Sequence, residues 1–178
     1  MFKVNEVLKS KPIKNFLITG ILAYTIWFFL YLFFLKPFLK IDVQIIYNLV
    51  YLSSTVLGTL GFDVYSSISD PFFQMIGIDG SHPVWIGIPC NGLSVIVLFS
   101  IFILSFPGKF IHKIWFIPSG IIILHLCNVL RVCGLAIINF YAPQYLDFNH
   151  NYTFTFLVYG LLFLLWIIWV NHFAKKYD

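Results

Sequence analysis

Residues 15–35 read NFLITGILAYTIWFFLYLFFL, an uncharged apolar run bounded by Lys14 and Lys36. A run of about 20 such residues is long enough to cross the roughly 30 Å hydrocarbon core of a bilayer as a helix. A cleavable signal peptide has a shorter apolar region and small residues at its cleavage site. This run instead ends in Phe33-Phe34-Leu35-Lys36-Pro37, so a retained anchor is expected. The rest of the chain has the same character: of 178 residues, 60% are hydrophobic, 20% aromatic and 10% charged. A soluble domain carries about 25% charge, and a core of this size leaves much of its chain facing solvent. The apolar excess must therefore face lipid. Abundant Phe and Tyr with few charges exclude disorder. The lysines lie at chain ends and in short loops rather than along one stripe, so the net charge of +4 marks no nucleic-acid surface.

Three further strong runs cover residues 89–106, 114–141 and 154–170. Eight of the ten Lys residues sit before the first run, in the loop between the second and third, or in the tail. The positive-inside rule places those three segments in the cytoplasm. Asp42, Asp63, Asp70, Asp79 and Asp147 then fall outside, and two cytoplasmic ends require an even number of crossings. Residues 43–60 are apolar but interrupted by Gln44, Asn48, Ser53, Ser54 and Thr55. Parity favours an amphipathic helix at the outer interface, or half-inserted; a fifth crossing is the competing reading. Residues 62–88 mix Asp, Ser, Gly and Pro with alternating apolar residues and read as an external loop holding a short strand or two. The expected fold is thus an all-α, polytopic helical membrane bundle of four to five spans, one domain over residues 1–178.

Ionisable and reactive groups inside or at the rim of a membrane helix are costly and mark candidate sites. Arg131 is the single Arg of the chain. Counted from Lys113 at about 1.5 Å per residue, it lies about 27 Å up its helix, near the outer surface. Asn128 is one turn below it on nearly the same face. Cys90, in Ile88-Pro89-Cys90-Asn91-Gly92-Leu93-Ser94, opens the preceding span at its outer end, where the helix dipole favours a thiolate. His150 lies just before the last span, also outside. Taken singly, a Cys is usually packing, an Arg snorkels and a loop His is solvated. Together they set a nucleophile, a cation and an imidazole at one depth. His125, nearer mid-membrane, reads as an interhelical hydrogen-bonding residue, Cys127 as an unreactive thiol and His82 as a loop residue. Cys127 and Cys133 point to different faces of one helix, so no disulfide is expected between them.

At Pro89-Cys90-Asn91-Gly92-Leu93, Asn128-Val129-Leu130-Arg131 and His150 the chain resembles the exosortase/archaeosortase family of multispanning membrane transpeptidases, in particular its short F-type members. The order and spacing of the three pieces agree with that family over roughly residues 43–170. The resemblance implies a cysteine protease or transpeptidase of the bacterial plasma membrane, with Cys90, Arg131 and His150 catalytic, Asn128 supporting, and no cofactor or metal. It implies exported protein substrates bearing a C-terminal sorting signal, made of a short motif, a membrane helix and a basic tail.

These residue types suit acyl transfer at the outer face. A Cys thiolate attacks a carbonyl to form a thioester, Arg donates hydrogen bonds to the oxyanion, and His serves as general acid and base. A non-enzymatic membrane assembly or partner-binding subunit, with Arg131 and His150 in structural contacts, is the competing class. A metal site of Cys90, His82 and His150 lacks dense ligand spacing, and Ser94 has no matching catalytic motif for rhomboid-like chemistry.

Overall fold

The computed structural model describes residues 11–70 and 73–174. Lys3, Lys9, Lys175 and Lys176, on which the expected orientation partly rests, lie outside the described residues. Five main helices form the body. Helix α1 spans Lys11–Leu30 and continues as a π-helical turn, Tyr31–Leu35. Helix α2 is Ile41–Thr59, α3 is Leu93–Ser105 and α4 is Phe110–Tyr141. Helix α5, Phe154–Trp169, is extended by π-helical turns at Asn149–Thr153 and Val170–Ala174.

Among the described residues, four helical stretches are long and apolar enough to cross a membrane: Ile13–Leu35, Ile41–Thr59, Phe110–Tyr141 and Pro143–Ala174. No residue from Ile13 to Leu35 is buried, and side chains as apolar as Ile21 and Phe33 are more than half exposed. A helix apolar all round and nowhere fully covered by protein is at home in lipid. The helix after Cys90 is shorter than the apolar run holding it: 13 residues, about 20 Å at 1.5 Å per residue. Gly92, in the left-handed region at φ 81°, interrupts the chain there, so the helix starts at Leu93 rather than reaching back to Pro89.

Packing divides the molecule along α4, whose 32 residues reach about 48 Å, well beyond a bilayer core of roughly 30 Å. The first half of α4 packs against α3 and α5. Phe99, fully buried, presses on Gly120, where a Cβ would collide with the ring. Phe116 meets Trp169 with ring centroids 5.1 Å apart. Lys113 Nζ donates to the carbonyls of Leu104 and Phe106 at 2.7 and 2.8 Å, satisfying the free end of α3. Helix α1 runs antiparallel to α3, with Phe16 edge-on to Phe102 and Phe106 at this lysine-bearing end.

The second half of α4 carries α2 and a sheet. Ile46, Leu49 and Leu57 from α2 share a core with Ile76, Ile86, Val132 and Ala136. Helix α2 follows α4 in the same direction: Asn48 pairs with His125, Cys133 Sγ donates to the Ser53 carbonyl, and Phe62 meets Phe140. Its first turn meets Asn91 beside Cys90, through Asp42. Helix α2 therefore lies along the second half of α4, away from the turn that carries Lys109 and Lys113.

The all-α expectation is corrected here. Residues Val64–Asp70 (β1), Phe73–Ile78 (β2) and Val84–Gly87 (β3) form a three-stranded antiparallel sheet in the order β1-β2-β3. Its period-two pattern buries Ile76, Ile78, Val84 and Ile86 against α2 and α4 while Trp85 is 56% exposed. Tyr65 and Phe73 lie across from Gly77 and Gly87, and each ring covers its partner glycine so closely that a Cβ would collide. The sheet has one buried face and one free face, as antiparallel sheets commonly do.

Candidate active site

The site forms where the sheet, α4 and the entry to α5 converge. Strand β3 runs directly into a 3-10 turn, Ile88–Cys90, with Pro89 at its first positions. Cys90 thus ends a separate turn two residues ahead of the cap of α3, instead of lying in the helix's first turn as the sequence suggested. Two contacts fix it. Asn128 Nδ2 donates to the Cys90 carbonyl at 3.0 Å, and the Asn91 backbone N–H donates to the Ile88 carbonyl at 3.3 Å. Asn128, 3% exposed on α4, therefore satisfies a backbone group of the Cys90 turn. Gly92 lets that turn approach, since a Cβ there would stand 3.0 Å from Asn128 Nδ2.

His150 arrives from the other side, on the π-helical turn that leads into α5. Its Nε2 is 4.0 Å from Cys90 Sγ. That contact is long for a hydrogen bond. Thr155 Oγ1 donates to the His150 carbonyl at 3.3 Å and anchors the turn. Arg131 completes the group: it shares a narrow cavity with Cys90, His150, Val84, Ile86 and Leu135. It also borders a second cavity of about 370 Å³, lined among others by Gly92, Ser94, Asn128, Thr155 and Tyr159. The Arg131 Nε–H is buried and finds no hydrogen-bond acceptor among the described residues. A cation with an unfilled buried donor, beside a thiol in contact with an imidazole, can stabilise an anion there.

The structure thus brings Cys90, Arg131, His150 and Asn128 together from one helix, a strand exit and a π-helical turn. Other candidate residues fall elsewhere. His125 bonds to Asn48 at 2.8 Å, an interhelical contact. His82 is exposed, and its carbonyl accepts from Asn139. Cys127 and Cys133 are buried free thiols that line neither cavity. Among the described residues no group of three or more His, Cys, Asp and Glu side chains gathers as a metal site requires.

Sequence reasoning passes over Asp42, which by its position only marks the outside. This carboxylate is 3% exposed and accepts from Tyr31 Oη at 2.7 Å and from Asn91 Nδ2 at 2.8 Å. The signal was present: a carboxylate at the second position of an apolar helix is as costly to bury as Arg131. Comparison with known proteins finds no matching family model, no matching curated protein and no matching solved structure.

Proposed function

We propose that this protein is a membrane cysteine peptidase or transpeptidase of the exosortase/archaeosortase type, cleaving C-terminal sorting signals of exported proteins. The observation that carries the reading is the 4.0 Å approach of His150 Nε2 to Cys90 Sγ, with Arg131 in the same cavity. The Cys90 thiol passes its proton to His150 as Sγ attacks the scissile carbonyl carbon. A C–S bond forms, the carbonyl π pair moves to oxygen, and Arg131 donates to the resulting oxyanion. Collapse breaks the C–N bond, and His150 delivers the proton to the leaving amine. A thioester remains on Cys90. His150 then deprotonates water or an amine, that nucleophile displaces the thiolate, and the proton returns to sulfur.

An apolar groove of about 650 Å³ supports the choice of substrate. It lies between α1 and α3, lined by Trp27, Phe28, Leu93, Leu98 and Ile101, and its upper wall includes Ile88 and Asn91, the residues flanking the Pro89-Cys90 pair. A sorting signal's membrane helix seated there presents the preceding peptide to Cys90 without leaving the bilayer. On this reading the sheet end faces the outside of the bacterial plasma membrane, both termini are cytoplasmic, and α2 rests at the outer interface.

The reading is tested by mass analysis of the C-termini of membrane-anchored exported proteins in cells with this chain, without it, and with Cys90→Ala. The expected result is a truncated or transferred C-terminus that appears only with the unaltered chain. An unchanged set of C-termini in all three cells sinks the enzyme reading and leaves a non-enzymatic assembly or partner-binding subunit.

A further inference from the structure

We infer that Tyr31, Asp42 and Asn91 form a positioning clamp that holds the Cys90 turn in register with His150. The clamp joins three distant stretches of chain: the π-helical end of α1, the first turn of α2, and the residue immediately after Cys90. Asp42 Oδ2 accepts from Tyr31 Oη at 2.7 Å and Oδ1 accepts from Asn91 Nδ2 at 2.8 Å. Asn91 is 2% exposed, and its Oδ1 accepts from the Leu93 N–H at 2.9 Å. The amide thereby connects the Cys90 turn to the start of α3 on one side and to Asp42 on the other.

A carboxylate buried this deeply costs stability, and here its side-chain partners are neutral. Its place in the first turn of α2 offsets part of that cost, because the positive end of the helix dipole favours an anion. The remaining cost is understandable if the group acts on geometry. Asn128 holds the Cys90 carbonyl from α4 while Asn91 is held from α2, so the thiol's backbone is gripped on both sides. Displacement of a catalytic group by about 1 Å can cost on the order of 100-fold in rate. Tyr31, Asp42 and Asn91 touch no reacting atom in this scheme; they act through Cys90.

The clamp's effect on turnover rests on the proposed peptidase reading, whereas its effect on the thiol does not. The full chain in native membranes is therefore compared as wild type, Tyr31→Phe, Asp42→Asn, Asn91→Asp and the exchanged pair Asp42→Asn/Asn91→Asp. Two quantities are read per inserted protein: the rate of substrate processing, and the rate at which an impermeant maleimide alkylates the Cys90 peptide, identified by mass spectrometry. Asn91→Asp sets two carboxylates face to face and should lower processing by about 100-fold or more. It should also slow alkylation, because His150 no longer sits where it takes the thiol proton. The exchanged pair rebuilds every bond: the new amide at position 42 donates to the new carboxylate at 91, which still accepts from Leu93. It should return both rates to within about threefold of wild type. Tyr31→Phe, which leaves the Asp42–Asn91 bond intact and the fold least disturbed, should reduce both rates by a few-fold. Overturning results are an exchanged pair no better than the worse single variant, or single variants with wild-type alkylation. Loss of the peptidase reading shows differently: Cys90→Ala leaves processing unchanged while the alkylation pattern of the other variants persists.

Discussion

Arg131 borders two cavities with a buried donor unfilled, and this determines what its replacement should do. A guanidinium presents its N–H groups in a planar fork, whereas a Lys ammonium is a compact point charge on a flexible stem. Arg131→Lys should therefore insert normally yet lower the single-turnover processing rate by about 100- to 1000-fold, the usual cost of removing one oxyanion donor. Loss of less than about threefold would assign Arg131 to packing or snorkelling instead. His150→Gln keeps a polar group of similar reach but cannot shuttle a proton, and the same assay should fall by about 100- to 10,000-fold. In the proposed reaction the thioester step and its resolution both pass through His150, so neither the acyl-enzyme nor the product should accumulate.

Helix α1 makes edge contacts to α3 at the lysine end and hydrogen bonds through Tyr31 at the other, yet buries none of its residues from Ile13 to Leu35. Loose packing between two apolar helices leaves the groove that Leu98, 46% exposed, faces. A photoreactive p-benzoylphenylalanine at Leu98 should crosslink to the membrane helix of a processed substrate carrying its sorting signal. The same label at Ile122, 59% exposed on α4, a helix that contributes no residue to the groove, should not. Equal crosslinking from both positions would remove the groove from the substrate path. The sheet shapes the site itself, because β3 leads straight into the Cys90 turn and its buried residues Val84 and Ile86 line the Cys90 cavity. Its alternation was visible in Val84-Trp85-Ile86-Gly87-Ile88, but the pairing of three strands was not. A strand pair depends on partners distant in sequence, and the decisive buried face exists only once α2 and α4 cover it.

On the scale of the whole molecule, the described charges still separate. Lys14, Lys109 and Lys113 lie at one end of the bundle, while Asp63, Asp79 and Asp147, with Lys36 and Lys40 as the exceptions in sign, lie toward the end that carries the sheet and the Cys90 site. Orientation can be read directly by labelling with an impermeant maleimide in a Cys90→Ala background. Asp79→Cys, in the exposed turn between β2 and β3, should label in intact cells, and Pro107→Cys, in the turn between α3 and α4, only after permeabilisation. The opposite pattern would put the site in the cytoplasm and exclude action on exported substrates.

Hydropathy and charge by themselves determined that the chain is a multi-helical protein with lipid-sized apolar stretches, because transfer from water to hydrocarbon depends on composition and length alone. They also singled out Cys90, Arg131 and His150, since reactive or charged groups stand out against an apolar background. Tertiary structure decided what a linear reading cannot: that α2 docks along the second half of α4, that Cys90 sits on its own turn before α3, and that Asp42 returns to hold Asn91. Those features arise from hydrogen bonds and packing between residues dozens of positions apart. Their energies depend on geometry that no local pattern encodes.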